Sequence, residues 1–171
     1  MDEVVKYEVI KLSKTIAVGK KFRYSYVALD SGDNRLPSFW DKCYKENIFA
    51  PLELQTEYIF NNSHAGVFFD WHLGDGEFSY IIGLLMKEGV TIPEGYSVYE
   101  IAETDVAQCW VKTKSLAETC AVPFESTAKA IENNGRSCAN MKWCADIFHH
   151  LRSTIADENG EVILDCYIPL D

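Results

Sequence analysis

One β-like segment of this chain occurs twice. Tyr7, Val9, Leu12, Thr15, Ala17 and Val18 are matched by Tyr96, Val98, Ile101, Thr104, Val106 and Ala107 at one constant spacing. A repeat of this kind constrains the whole fold, because each copy needs the same neighbours to bury the same face. The elements around the two copies support it. In the first half, Tyr7–Leu12 alternates and Ile16–Tyr26 continues the pattern, which predicts two strands or one bent strand broken near Ser13–Lys14. Asp30–Arg35 is a polar turn. Leu36, Phe39, Trp40, Cys43 and Tyr44 then recur every three to four residues, the spacing of one helix face, with Asn47 as a stop. Ile48–Ser63 has room for a second short helix around Leu52–Tyr58. Ala65–Leu73 and Glu77–Met86 read as strands joined through Gly74-Asp75-Gly76.

The second half repeats this order. Ile92-Pro93-Glu94-Gly95 leads into strands Tyr96–Ile101 and Thr104–Val111. A helix follows over Phe124–Asn133, with Phe124, Thr127, Ala128 and Ile131 on one face and Gly135 as its C-terminal cap. Strands Asp146–Ser153 and Glu161–Ile168 close the chain, joined through Asp157–Gly160. The fold expected is α+β: one domain over residues 1–171, built as a pseudo-twofold tandem βαββ repeat with half-repeats 1–87 and 88–171. Its sheets are antiparallel with helices on one side, and a groove runs between the halves.

Charge and cysteine usage narrow the function classes. Sixteen Lys and Arg against 26 Asp and Glu give a formal charge of -10. Such a surface repels nucleic acid unless its basic residues cluster, and Lys20, Lys21 and Arg23 are the densest group present. Direct nucleic-acid binding is not expected. No apolar run reaches the roughly 20 residues of a membrane helix. Met1–Tyr7 lacks the basic start and apolar stretch of an export signal, so a cytoplasmic location is expected. Free thiols are then the default for the six cysteines, at positions 43, 109, 120, 138, 144 and 166. None has the CxxC spacing of a zinc knuckle or a redox site. No metal site and no cofactor is expected. Gly74-Asp75-Gly76 lacks the Lys-Ser or Lys-Thr and the helix of a phosphate loop, and reads as a turn.

Four stretches carry a resemblance to a known family. They are Phe39-Trp40; Phe78-Ser79-Tyr80-Ile81-Ile82-Gly83; Ile92-Pro93-Glu94-Gly95-Tyr96 leading on to Glu100-Ile101-Ala102-Glu103-Thr104-Asp105-Val106-Ala107; and Tyr167-Ile168-Pro169-Leu170. In this order and spacing they span nearly the whole chain and resemble the gyrase-inhibitor-like, AraC-type effector-binding family, especially its stand-alone integron-cassette members. The resemblance implies a small-molecule pocket in the groove between two βαββ halves, filled by hydrophobic and often cationic compounds. It implies a stand-alone effector or drug receptor. Two alternatives come with it: a hydrolase of reactive drug-like compounds, and an inhibitor that acts through a protein partner. A homodimer is compatible with any of these.

The family pattern also places a Glu, as Ile-Glu-x-Tyr, in the strand before the last hairpin, as counter-charge for a cationic ligand. Aligned there, this chain reads Asp146-Ile147-Phe148-His149-His150, with Phe148 at the Glu and His150 at the Tyr. Neutral aromatic ligands are then preferred, or neutral and cationic ones are both tolerated, unless Glu100 or Asp146 points inward as the substitute acid.

The ligand-binding candidates are Trp40, Tyr80, Trp110, Trp143 and Phe148, whose rings offer stacking and cation–π attraction of roughly 0.5–2 kcal/mol per contact. Glu100, Asp146 and His150 are the polar candidates. A ligand-facing buried acid is informative because burying one without a partner is costly. His149 and His150, adjacent in a predicted strand, are expected to point to opposite faces. Either imidazole has the acid–base range of a general base. No nucleophile with an evident partner is visible, so catalytic residues are unknown and binding without catalysis is favoured.

Overall fold

The structure is a computed structural model that describes residues 3–114 and 122–171. It is α+β, with antiparallel sheets and helices packed to one side. In chain order the strands are β1 (Glu3–Leu12), β2 (Thr15–Ser25), β3 (Ser63–Phe69), β4 (Glu77–Met86), β5 (Ser97–Ile101), β6 (Thr104–Thr113), β7 (Trp143–His149) and β8 (Val162–Pro169). The helices are α1 (Tyr26–Asp30), α2 (Leu36–Lys45), α3 (Ala50–Glu53) and α4 (Val122–Asn133). The chain divides into two compact units, Lys14–Ala102 on one side and Met1–Ser13 with Glu103–Asp171 on the other. In each unit, the first strand of one sequence half pairs with the second strand of the other: β1 lies against β6, and β5 against β2.

In the Lys14–Ala102 unit the strand order is β3-β4-β2-β5. β4 is central and buried along nearly its whole length, which is why Phe78–Met86 reads as an almost continuous apolar run. One face of this sheet carries Phe22 and Val18 of β2, Phe68 of β3, and Tyr80 and Leu84 of β4. α2 packs on it. Pro37 pre-sets the first turn of α2, and Lys42 and Lys45 sit at its negative C-terminal end. Phe39 stacks on Phe22 with ring centroids 4.4 Å apart.

β3 is shorter than the alternation predicts. Asp70 takes a left-handed conformation (φ 68°), and its carboxylate accepts a 2.8 Å bond from the Ser79 hydroxyl. The chain then makes a 3-10 turn over Trp71–Leu73 instead of continuing as a strand. Tyr26, expected to end β2, instead opens α1, which Ser25 caps through Ala28 N–H.

In the other unit the order is β1-β6-β8-β7. α4 covers one face, where Ile131 meets Ala107, Cys109, Val111, Cys166 and Ile168. Gly135, at φ 70°, closes α4 as expected, with Gly135 N bonded to Glu132 O and Arg136 N to Ile131 O. β7 ends at His149, four residues short of the expectation. Ser153 N–H and its hydroxyl both return to the His149 carbonyl, at 2.9 and 2.8 Å, which curls the chain into a turn. Cys43, Cys109, Cys138, Cys144 and Cys166 are free thiols, while Cys120 lies outside the described residues.

Candidate functional site: an acid and an indole on one sheet face

Register decides which side chains share a face. In the unit that holds α4, Tyr7, Cys109, Cys166 and Asp146 form one cross-strand row. Lys6, Trp110, Asp165 and Ile147 form the next, and Glu8, Gln108, Tyr167 and Ala145 the one after. Alternation places the first row on the face under α4 and the other two on the opposite face.

The opposite face carries a cluster of charged and polar side chains. Asp165 is 2% exposed. Arg152, from the turn after β7, grips its carboxylate side-on: Nε donates to Oδ1 at 3.2 Å and Nη2 to Oδ2 at 2.7 Å. Gln108 Nε2 donates to Oδ2 from 3.4 Å. The Arg152 guanidinium carbon also lies 4.3 Å from the centroid of the Trp110 ring, and Lys6 Nζ lies 4.6 Å from it. The Trp110 indole N–H is buried and without a hydrogen-bond partner. Trp143, 6% exposed, shares this face through the alternation of β7. His149, at the end of β7, feels both Arg152 and Asp165; burial, then Arg152 and His150, push its imidazole below the usual histidine range against the upward pull of Asp165. A buried carboxylate beside an indole can hold a flat cation by two parallel hydrogen bonds and a stacked ring, and here it already holds one.

The face under α4 is different. Asp146 is 4% exposed, and its Oδ2 has no hydrogen-bond partner. Burial drives its carboxyl well above the ordinary aspartate range. The flanking Cys144 and Cys166 thiols are pushed up by burial as well, and further by Asp146. Phe148, two residues along β7, falls on this face by alternation. His150 lies beyond the strand end, exposed in the turn, with its ring stacked on His149 at 4.9 Å. The expectation of two histidines on opposite strand faces is therefore corrected, because the strand stops between them.

The remaining sequence candidates belong to the Lys14–Ala102 unit. Trp40 and Tyr80 meet: Trp40 Nε1 donates to the Tyr80 hydroxyl at 2.9 Å. Tyr80 is fully buried and stacks on Phe68 at 4.3 Å. Its ring lies over Gly66, where an added Cβ would come within 2.1 Å of the phenol oxygen. Trp40 stacks on Phe49, which stacks on His64 at 3.8 Å. Glu100 is exposed on edge strand β5, opposite Ile16.

Asp165, Arg152 and Gln108 are not among the residues that the sequence marks as candidates. A signal for Asp165 exists: Leu164-Asp165-Cys166-Tyr167 has the apolar-acid-x-Tyr spacing sought one strand earlier, at Phe148. Among the described residues no group of three or more His, Cys, Asp or Glu is placed to hold a metal ion, and no helix is long and apolar enough to cross a membrane.

No protein-family model matches this chain, and neither does a curated protein. Solved structures do. SAV2435 bound to tetraphenylphosphonium is similar at 17% identity and a TM-score of 0.70, over 98% of this chain and 94% of that one. A Staphylococcus aureus protein described as a bacterial transcription regulation protein is 18% identical with a TM-score of 0.65, over 97% and 98%. An integron cassette protein from the mobile metagenome of Vibrio cholerae is 8% identical with a TM-score of 0.56, over 99% of each chain. At these identities the likeness establishes the fold alone, an α+β fold of antiparallel sheets with helices packed to one side.

Proposed function

We propose that this protein is a receptor for a small aromatic cation, held between the Asp165 carboxylate and the Trp110 indole, and that it binds its ligand without turning it over. The observation that carries this reading is the Asp165–Trp110 pair itself. A carboxylate that is 2% exposed selects strongly for positive charge, because leaving it unpaired costs several kcal/mol by general experience with buried ions. The indole adds attraction for the same charge and area for an aromatic ring. The resemblance noted in the sequence supports a small-molecule ligand, and the similar fold of SAV2435 is occupied by tetraphenylphosphonium, a lipophilic aromatic cation. The preference for uncharged ligands, which follows from Phe148, is set aside in this reading: Asp165 supplies the acid from β8.

The test is a tryptophan-fluorescence titration with tetraphenylphosphonium and with triphenylphosphine oxide, an uncharged analogue of similar shape. Binding of the cation, weakened about tenfold or more in Asp165→Asn, supports the reading; a factor of ten corresponds to about 1.4 kcal/mol. Equal binding of the two compounds, unaffected by Asp165→Asn, would remove Asp165 from the site. Conversion of a bound compound, lost in His149→Gln with binding intact, would replace the receptor by an enzyme.

A further inference from the structure

We infer that Arg152 is a tethered stand-in for the ligand, and that the site's own ligand class is an aryl guanidinium or amidinium, which must displace Arg152 to bind. This deepens the receptor reading above and rests on it. Arg152 already occupies both Asp165 oxygens and one side of the Trp110 ring. Its N–H groups donate to the two oxygens at 3.2 and 2.7 Å, and its guanidinium carbon lies 4.3 Å from the Trp110 centroid. Such a fork matches guanidinium and amidinium groups and does not match an ammonium, which offers a point charge without a plane.

The attachment of Arg152 allows exchange. Its backbone is fixed to β8 independently of its head group, since Ile163 N–H donates to the Arg152 carbonyl at 2.9 Å. The guanidinium can therefore leave Asp165 without breaking that bond. Its side chain is 26% exposed, against 3% for the Asp165 side chain, so solvent reaches the cation and not the acid. The departing head keeps its hydration while the arriving cation keeps Asp165 paired. The buried acid is never left alone, which is the costly state.

A site that is free of its stand-in about a tenth of the time binds a competitor about tenfold more weakly than an unblocked site. Phenylguanidinium and its neutral analogue phenylurea, titrated by calorimetry, read this directly. The expected result is that Arg152→Ala binds phenylguanidinium at least about tenfold more tightly than the wild type, with no gain for phenylurea. The gain disappears in Arg152→Ala/Asp165→Asn. Equal or weaker phenylguanidinium binding by Arg152→Ala overturns the inference and makes Arg152 a structural ion pair or a part of the receptor. Should Arg152→Ala fail to fold, Arg152→Lys keeps a charge at the site and gives up the second parallel bond and the stack. A smaller gain is expected from it, and no gain overturns the inference. Wild-type binding of tetraphenylphosphonium that depends on Asp165, with no gain in either variant, refutes the stand-in and leaves the receptor reading intact. Absence of binding by every variant to every probe refutes both.

Discussion

Asp146 makes a sharp prediction about stability and pH. Its carboxyl is 4% exposed, Oδ2 has no hydrogen-bond partner, and burial alone raises its affinity for a proton well above the ordinary aspartate value of 3.8. The folded state therefore binds the proton more tightly than the unfolded chain does. Any stability this supplies is fully present below the unfolded value and is lost as pH rises toward the folded one. Over that window the loss approaches about 1.4 kcal/mol for each pH unit, the limit for one proton. For a chain of this size that amounts to a fall in Tm of roughly 3–6 °C per unit. Asp146→Asn keeps the shape and removes the titration. Urea unfolding of both proteins in reducing buffer from pH 4 upward isolates the effect, since every other group titrates in both. The expected difference, wild type minus variant, declines steadily with pH, so that Asn gains on Asp as the solution becomes neutral. Parallel curves across the range would show that Asp146 is ionised in the folded protein and finds a partner.

Three further outcomes follow from single contacts. Gly66→Ala forces a methyl into the Tyr80 phenol and is expected to cost about 1–3 kcal/mol, visible in thermal unfolding. Trp40→Phe removes the donor to the buried Tyr80 hydroxyl and should cost about 1 kcal/mol plus lost packing area, measured by urea denaturation. The Cys43 thiol, pushed up to about 11 mainly by burial, should resist a thiol reagent at pH 8 in the native protein and react at once after unfolding; fast native labelling at Cys43 would contradict its burial.

The parts of this structure that were legible in the sequence are those set by local pattern. Glu77–Met86 was bounded correctly because a continuous apolar run ending in charged Lys87 and Glu88 has few other readings. α4 and its Gly135 cap were legible from another local pattern, the recurrence of Phe124, Thr127, Ala128 and Ile131 at helical spacing with a glycine just beyond. The misreadings arose where a side chain turned the chain against its pattern. The Ser153 hydroxyl bends the chain back to His149 inside what looks like a strand, and the Asp70–Ser79 bond stops β3 early. The acid–indole site was illegible for a different reason. Arg152, Trp110 and Asp165 come together only through the pairing of β8 with β6 and the return of the chain after β7, and no local spacing in the sequence encodes that register. Asp165 alone leaves a trace, in the spacing of Leu164-Asp165-Cys166-Tyr167, which repeats on β8 the pattern expected on β7.

A crystal structure of the protein with tetraphenylphosphonium tests the acid–indole site most directly. The cation is expected on the β6–β8 face opposite α4, with its charge near the Asp165 carboxylate, Trp110 within about 6 Å of the charged centre, and the Arg152 head swung away from the acid. A cation bound elsewhere, with the Arg152–Asp165 fork intact, would contradict that site.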